Sequence, residues 1–78
     1  MTPIVLAGTD LGEEDEVEVA QWLVPDGAHV SAGSPLVEVT TAKVTIEVPA
    51  PVAGTLRHGA QVGALVRAGE PIGWIVDG

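Results

Sequence analysis

The sequence predicts an all-β protein: two small antiparallel sheets facing each other as a sandwich or flattened β-barrel, with pseudo-twofold symmetry. Three observations predict it. Valine is the most frequent residue, and β-branched side chains favour strands over helices. Short alternating apolar and polar runs are broken by Pro and Gly at turn spacing. Finally, one segment recurs. GAHVSAGSPLVEV at 27–39 returns 36 residues later as GALVRAGEPIGWI at 63–75. Gly27, Ala28, Val30, Ala32, Gly33 and Pro35 become Gly63, Ala64, Val66, Ala68, Gly69 and Pro71. Neither half could bury a face alone, so the two share one core.

The 78 residues allow one domain, spanning 1–78, with one modest core. Phe and Tyr are absent, so that core is aliphatic. Taken in order, Pro3 to Ala7 reads as a first strand. Glu13 to Glu16 (EEDE) is an acidic run whose like charges favour a solvated loop. Val17 to Val24 begins with clean alternation, Val17 and Val19 facing one way and Glu18 the other. Pro25-Asp26-Gly27 punctuates it as a turn. Gly27, Gly33, Gly63 and Gly69 serve turns at repeated positions.

VEVTTAKVTIEV at 37–48 reads as a hairpin. Val37 and Val39 alternate with Glu38, and Val44, Ile46 and Val48 alternate with Thr45 and Glu47. A four-residue turn at Thr41-Ala42-Lys43-Val44 sets Val39 opposite Ile46 and Val37 opposite Val48, so both limbs keep one apolar face. Ala42 and Lys43 become the central residues, which a type I turn accepts without positive φ. Pro49 and Pro51 end the outgoing strand, because proline cannot donate to a ladder. Gly54 is expected at a close approach or bulge.

Charge and composition exclude several functions. The formal net charge is -8, from eleven acids against three bases, so nucleic acid and anionic membrane surfaces are unexpected partners and a basic protein is a fitting one. No apolar run approaches a membrane span. Residues 1–8 lack a basic leader, and the expected compartment is the cytoplasm. There is no cysteine, so any thiol redox chemistry must come from an attached group. His29 and His58 lack metal-ligand spacing, Ser31 and Ser34 lack a base partner, and Trp22 and Trp74 read as packing residues.

Lys43 is the only lysine. At the tip of a tight hairpin it is exposed on a stiff support. An amine is nucleophilic only through its free electron pair, so an enzyme that modifies it must supply the activation.

The residues around Lys43 carry a resemblance. Glu38 to Gly54 reads EVTTAKVTIEVPAPVAG. It resembles the lipoyl domain of the 2-oxo acid dehydrogenase acyltransferases, within the biotinyl/lipoyl attachment superfamily. The family motif is acid-Thr-Asp-Lys-Ala, a short strand, Pro-x-Pro, and Gly eleven residues past the lysine. Thr41, Lys43, Pro49, Pro51 and Gly54 match it. Leu11-Gly12-Glu13 resembles the family's opening, and Trp22-Leu23-Val24, Gly27, Val30 and Gly33-x-Pro-Leu36 resemble its next strand and turn. The resemblance covers roughly residues 4–76. Thr40, Ala42 and Val44 depart from it, standing where an acid, Asp and Ala are usual. The Met-Lys-Met pattern of biotinyl domains is matched less well, since Met1 is the only methionine.

The resemblance implies a barrel-sandwich hybrid fold and lipoate joined to Lys43 as an amide, with biotin the lesser alternative. The chain would be a non-catalytic carrier whose swinging arm shuttles acyl groups and reducing equivalents. Implied partners are a lipoate-attaching enzyme, a thiamine-dependent decarboxylase, the acyltransferase core and a dihydrolipoyl dehydrogenase. The isolated domain is expected to be a monomer. Thr41, Ala42 and Val44 frame the attachment site. Glu13, Glu14, Asp15, Glu16, Glu38 and Glu47 are candidate docking carboxylates. The competing readings are a biotin carboxyl carrier-type domain and an unmodified interaction or adaptor domain on the same fold.

Overall fold

The computed structural model describes residues 1–6 and 16–77. Their regular structure consists of strands alone: β1 (Thr2–Ile4), β2 (Glu16–Trp22), β3 (His29–Val30), β4 (Pro35–Thr40), β5 (Thr45–Pro49), β6 (Gly54–His58), β7 (Leu65–Arg67) and β8 (Gly73–Val76). They form two four-stranded antiparallel sheets, ordered β1-β8-β6-β3 and β5-β4-β2-β7. The sheets are not closed into a barrel; they pack as a sandwich.

The repeat is realised as symmetry. Moving four strands along the chain turns one sheet order into the other. The hydrogen bonds obey the same rule. Gly27 N–H donates to Leu56 O and Leu56 N–H to Ala28 O; Gly63 N–H donates to Val19 O and Val19 N–H to Ala64 O. Gly33 donates to Ala50 O as Gly69 donates to Leu6 O. These four glycines have φ between 86° and 93°, the left-handed region that glycine enters without steric cost. Because each turn hands its strand to the opposite half, the repeats interlock around a shared core.

That core is aliphatic, as expected. Ile4, Val17, Val19, Leu36, Val37, Val39, Leu56, Ile72 and Ile75 are essentially inaccessible. Alternation puts Val17 and Val19 inside and Glu16 and Glu18 outside. Bulges between Val19 and Gln21 and between Pro35 and Val37 shift the pleat, which is how Leu36 and Val37, adjacent in sequence, are both buried.

Four expectations need correction. The first strand runs Thr2–Ile4 and ends before Val5, short of the expected Pro3 to Ala7: ahead of Gly73 the partner segment is in the Arg67–Glu70 turn, and only the separate bonds Ile72 N–H to Ile4 O and Gly69 N–H to Leu6 O join it to this segment. Glu16 is not in a loop. It opens β2 opposite Arg67, whose Nε lies 3.8 Å from its carboxylate. The second strand stops at Trp22, before Leu23 and Val24, as the chain bends toward Pro25. Val44 is 52% exposed, so the apolar face of the outgoing limb starts at Ile46. Ala7, Leu11-Gly12-Glu13 and the rest of the acidic run before Glu16 lie outside the described residues.

Gly54 fulfils its expectation of a close approach. A β-carbon there would overlap the Val76 carbonyl oxygen and the Ile75 side chain. In the other half the equivalent place beside Val66 is taken by Val17, as Gly54 lies beside Val30.

Candidate functional site

Lys43 sits where the sequence places it. β4 and β5 pair Val37 with Val48, Val39 with Ile46 and Thr40 with Thr45, leaving Thr41 to Val44 as the turn. The apolar faces fix this register: a one-residue slip of β5 would turn Val48, which is buried, to solvent. β4 is held on its other side by β2, so the turn stands on a central strand rather than on a free ribbon. Ala42, Lys43 and Val44 are exposed and Thr41 is half-buried.

One side chain fastens the turn. Thr41 N–H donates to Val44 O at 2.9 Å. In return the N–H groups of Lys43 and Val44 donate to Thr41 Oγ1, at 3.2 and 3.1 Å. Oγ1 lies 3.5 Å from Val44 O, to which its hydroxyl points. A threonine hydroxyl thus takes amides that a backbone carbonyl takes in a simple turn.

Among the described residues the ion pairs are Arg57–Asp26 at 3.6 Å and Arg67–Glu16 at 3.8 Å; Lys43 belongs to neither. Lys43 is exposed, and among the described residues no carboxylate pairs with its amine. Such a site fits an amide-linked prosthetic group, which needs an exposed nucleophile on a fixed support.

The candidate docking carboxylates divide. Glu38 and Glu47 face each other directly across β4 and β5 on the outer surface. Glu16 lies on β2, the strand beside β4, against Arg67 of β7. Glu13, Glu14 and Asp15 lie outside the described residues. Sequence reasoning passed over two further features. A shallow hollow of about 350 Å³ opens between the turn residues Thr41 and Ala42 and the side chains of Glu16, Glu18 and Leu65. Leu65 is 63% exposed. The hollow depends on β2 lying between β4 and β7, a pairing that alternation alone does not reveal. Trp22 stacks on His58 with centroids 3.8 Å apart, its Nε1–H donates to Ala60 O, and His58 Nε2 meets Val24 O at 2.8 Å. That clasp between halves confirms Trp22 as a packing residue.

Comparison with known proteins agrees with this geometry. The family model Biotin_lipoyl, described as "Biotin-requiring enzyme", matches residues 6–75. The chain belongs to the biotin/lipoyl family. Within it, 67 residues are 42% identical to the lipoamide acyltransferase component of the branched-chain alpha-keto acid dehydrogenase complex of Pseudomonas aeruginosa, covering 83% of this chain and 16% of that protein. Over 70 residues the chain is 41% identical to the dihydrolipoyllysine-residue succinyltransferase component of the 2-oxoglutarate dehydrogenase complex of Rickettsia felis, covering 87% and 18%. The chain thus spans less than a fifth of the length of these curated relatives. The solution structure of the lipoyl domain of the 2-oxoglutarate dehydrogenase complex from Azotobacter vinelandii superposes with a TM-score of 0.72 at 27% identity, covering 96% of this chain and 98% of that one. The biotin/lipoyl fold seen here is therefore of the lipoyl-domain kind in both sequence and architecture.

Proposed function

We propose that this chain carries a lipoyl group in amide linkage on Lys43 and presents it within a 2-oxo acid dehydrogenase complex. The observation that carries the reading is the placement of the chain's only lysine, exposed at the tip of a register-locked hairpin. The relatives' printed names, acyltransferase components of such complexes, support the choice of group.

When bound, the lipoyl group supplies a dithiolane able to carry an acyl group and two electrons. The protein supplies what surrounds it. Lys43 Nζ holds the group, the β4–β5 ladder fixes the point of attachment, and tethering raises its local concentration at neighbouring catalytic sites. In this reading the chain is a carrier, and with no cysteine of its own it takes no thiol part in the redox work. Its partners are an enzyme that attaches lipoate, a thiamine-dependent decarboxylase, the acyltransferase core and a dihydrolipoyl dehydrogenase, working in the cytoplasm. Carboxylates on the outer face, Glu38 and Glu47 first, favour basic surfaces on those partners.

The test is intact and tryptic mass on protein made in a lipoate-attaching cell supplied with lipoate. One lipoyl increment on the peptide containing Lys43 is expected. An unmodified peptide, or the mass of biotin at that lysine, overturns the reading.

A further inference from the structure

We infer that Thr41 is a positioning residue for attachment at Lys43: its hydroxyl holds the turn in the shape the attaching enzyme binds. This deepens the carrier reading and rests on it. The hairpin closes asymmetrically. Thr41 N–H reaches Val44 O, but the Val44 amide returns to the Thr41 side chain, and the Lys43 amide joins it there. The lysine's own backbone nitrogen is thus tied to one oxygen. No other side chain in the turn can do this, because Ala42, Lys43 and Val44 offer no acceptor.

Position 42 makes that role heavier in this chain. An aspartate or asparagine there could brace the turn through its own side chain, but Ala42 cannot. Thr41 is also half-buried, while the three residues after it are exposed.

The step concerned is amide formation. An attaching enzyme that activates lipoate with ATP forms lipoyl adenylate and releases pyrophosphate. The neutral Lys43 amine attacks the acyl carbon, AMP leaves with the bonding pair, and the nitrogen loses its extra proton. Thr41 touches none of these atoms. It raises the fraction of chains whose turn is ready to bind, so its loss raises KM and spares kcat. Apparent affinity falls in proportion to that fraction.

The experiment uses the 78-residue chain with Thr41→Val, Thr41→Ala and Thr41→Ser, a purified lipoate–protein ligase, lipoate and ATP, with intact mass as the rate readout. Amide hydrogen exchange at Lys43 and Val44 is measured on unmodified protein. For Thr41→Val and Thr41→Ala we expect KM to rise about fivefold with kcat unchanged, and both amides to exchange about tenfold faster, as follows from losing their common acceptor. Thr41→Ser restores both readouts to within about twofold of wild type. Should Thr41→Val fail to fold, Thr41→Ala against Thr41→Ser decides in the same way. Wild-type kinetics in the folded Val and Ala variants overturn the inference, as does a loss that serine does not rescue. Failure of wild type to accept lipoate overturns the carrier reading itself. That outcome is distinguishable, because the exchange rates report on Thr41 without the ligase.

Discussion

The β4–β5 pair and the β8–β1 pair hold equivalent places in the two sheets. In the first, Val37 faces Val48 and Val39 faces Ile46; in the second, Gly73 faces Ile4 and Ile75 faces Thr2. The backbone frame is the same. What differs is how each pair is finished. Four residues close β4 to β5 and carry Lys43, while β8 and β1 are joined by no turn. The outer rows differ as well. Glu47 and Glu38 occupy the places that Pro3 and Trp74 occupy in the other sheet, where Arg57 comes next to Trp74. The repeated interior builds the scaffold. The unrepeated turn and surface make one end of it a site.

This contrast can be broken most sharply at the lysine. Lys43→Arg is expected to abolish the lipoyl mass increment completely while leaving the denaturant midpoint unchanged. Adding Asp77→Lys to that variant puts a lysine just past β8, at the place equivalent to Thr41 and without the turn, and no modification is expected there. An increment at position 77 would show that the frame alone is recognised.

The next largest effect concerns the interior. Gly54 and Val17 are equivalent but not interchangeable. Gly54→Val drives a side chain into the Val76 carbonyl and is expected to cost about 3 kcal/mol or more in urea unfolding. Val17→Ala, which only leaves a small void, is expected to cost about 2 kcal/mol. Equal costs would mean that the two halves relax alike. Trp22→Phe keeps a ring against His58 but removes the Nε1–H···O bond to Ala60, for an expected loss of about 1 kcal/mol. The smallest effect lies on the acidic face. Glu47→Thr relieves a directly opposed pair of like charges and is expected to stabilise by about 0.5 kcal/mol at low salt, the gain fading as salt rises.

The hairpin was legible because its information is local. Two alternating limbs and a four-residue gap leave one register that keeps Val37, Val39 and Val48 inside. The repeat made the sandwich legible for a related reason: matched glycines need matched turns. Pairings between distant segments were not legible. Alternation cannot tell that β2 lies between β4 and β7, or that Glu18 stands beside Thr40. The bulge after Val19 breaks the parity on which the side of Trp22 would have to be read. Val44 misled because its apolar character matched the limb, although it stands one residue beyond the last ladder pair, Thr40–Thr45, where no opposing sheet covers it. Thr41 was found by its motif; its hydroxyl's part in the turn depends on a side-chain rotamer that the residue type leaves open.

The pairing of Thr2 with Ile75 has a mechanical consequence. The chain enters and leaves the fold on neighbouring antiparallel strands, about 5 Å apart. A pull applied at Thr2 and Ile75 therefore does not load the β1–β8 ladder in shear. It peels the ladder open one bond at a time, starting at the pulled end. Tension would unravel this edge first, while β4 and β5, held through their own turn and through β2, keep their grip on the lysine until the core itself gives way.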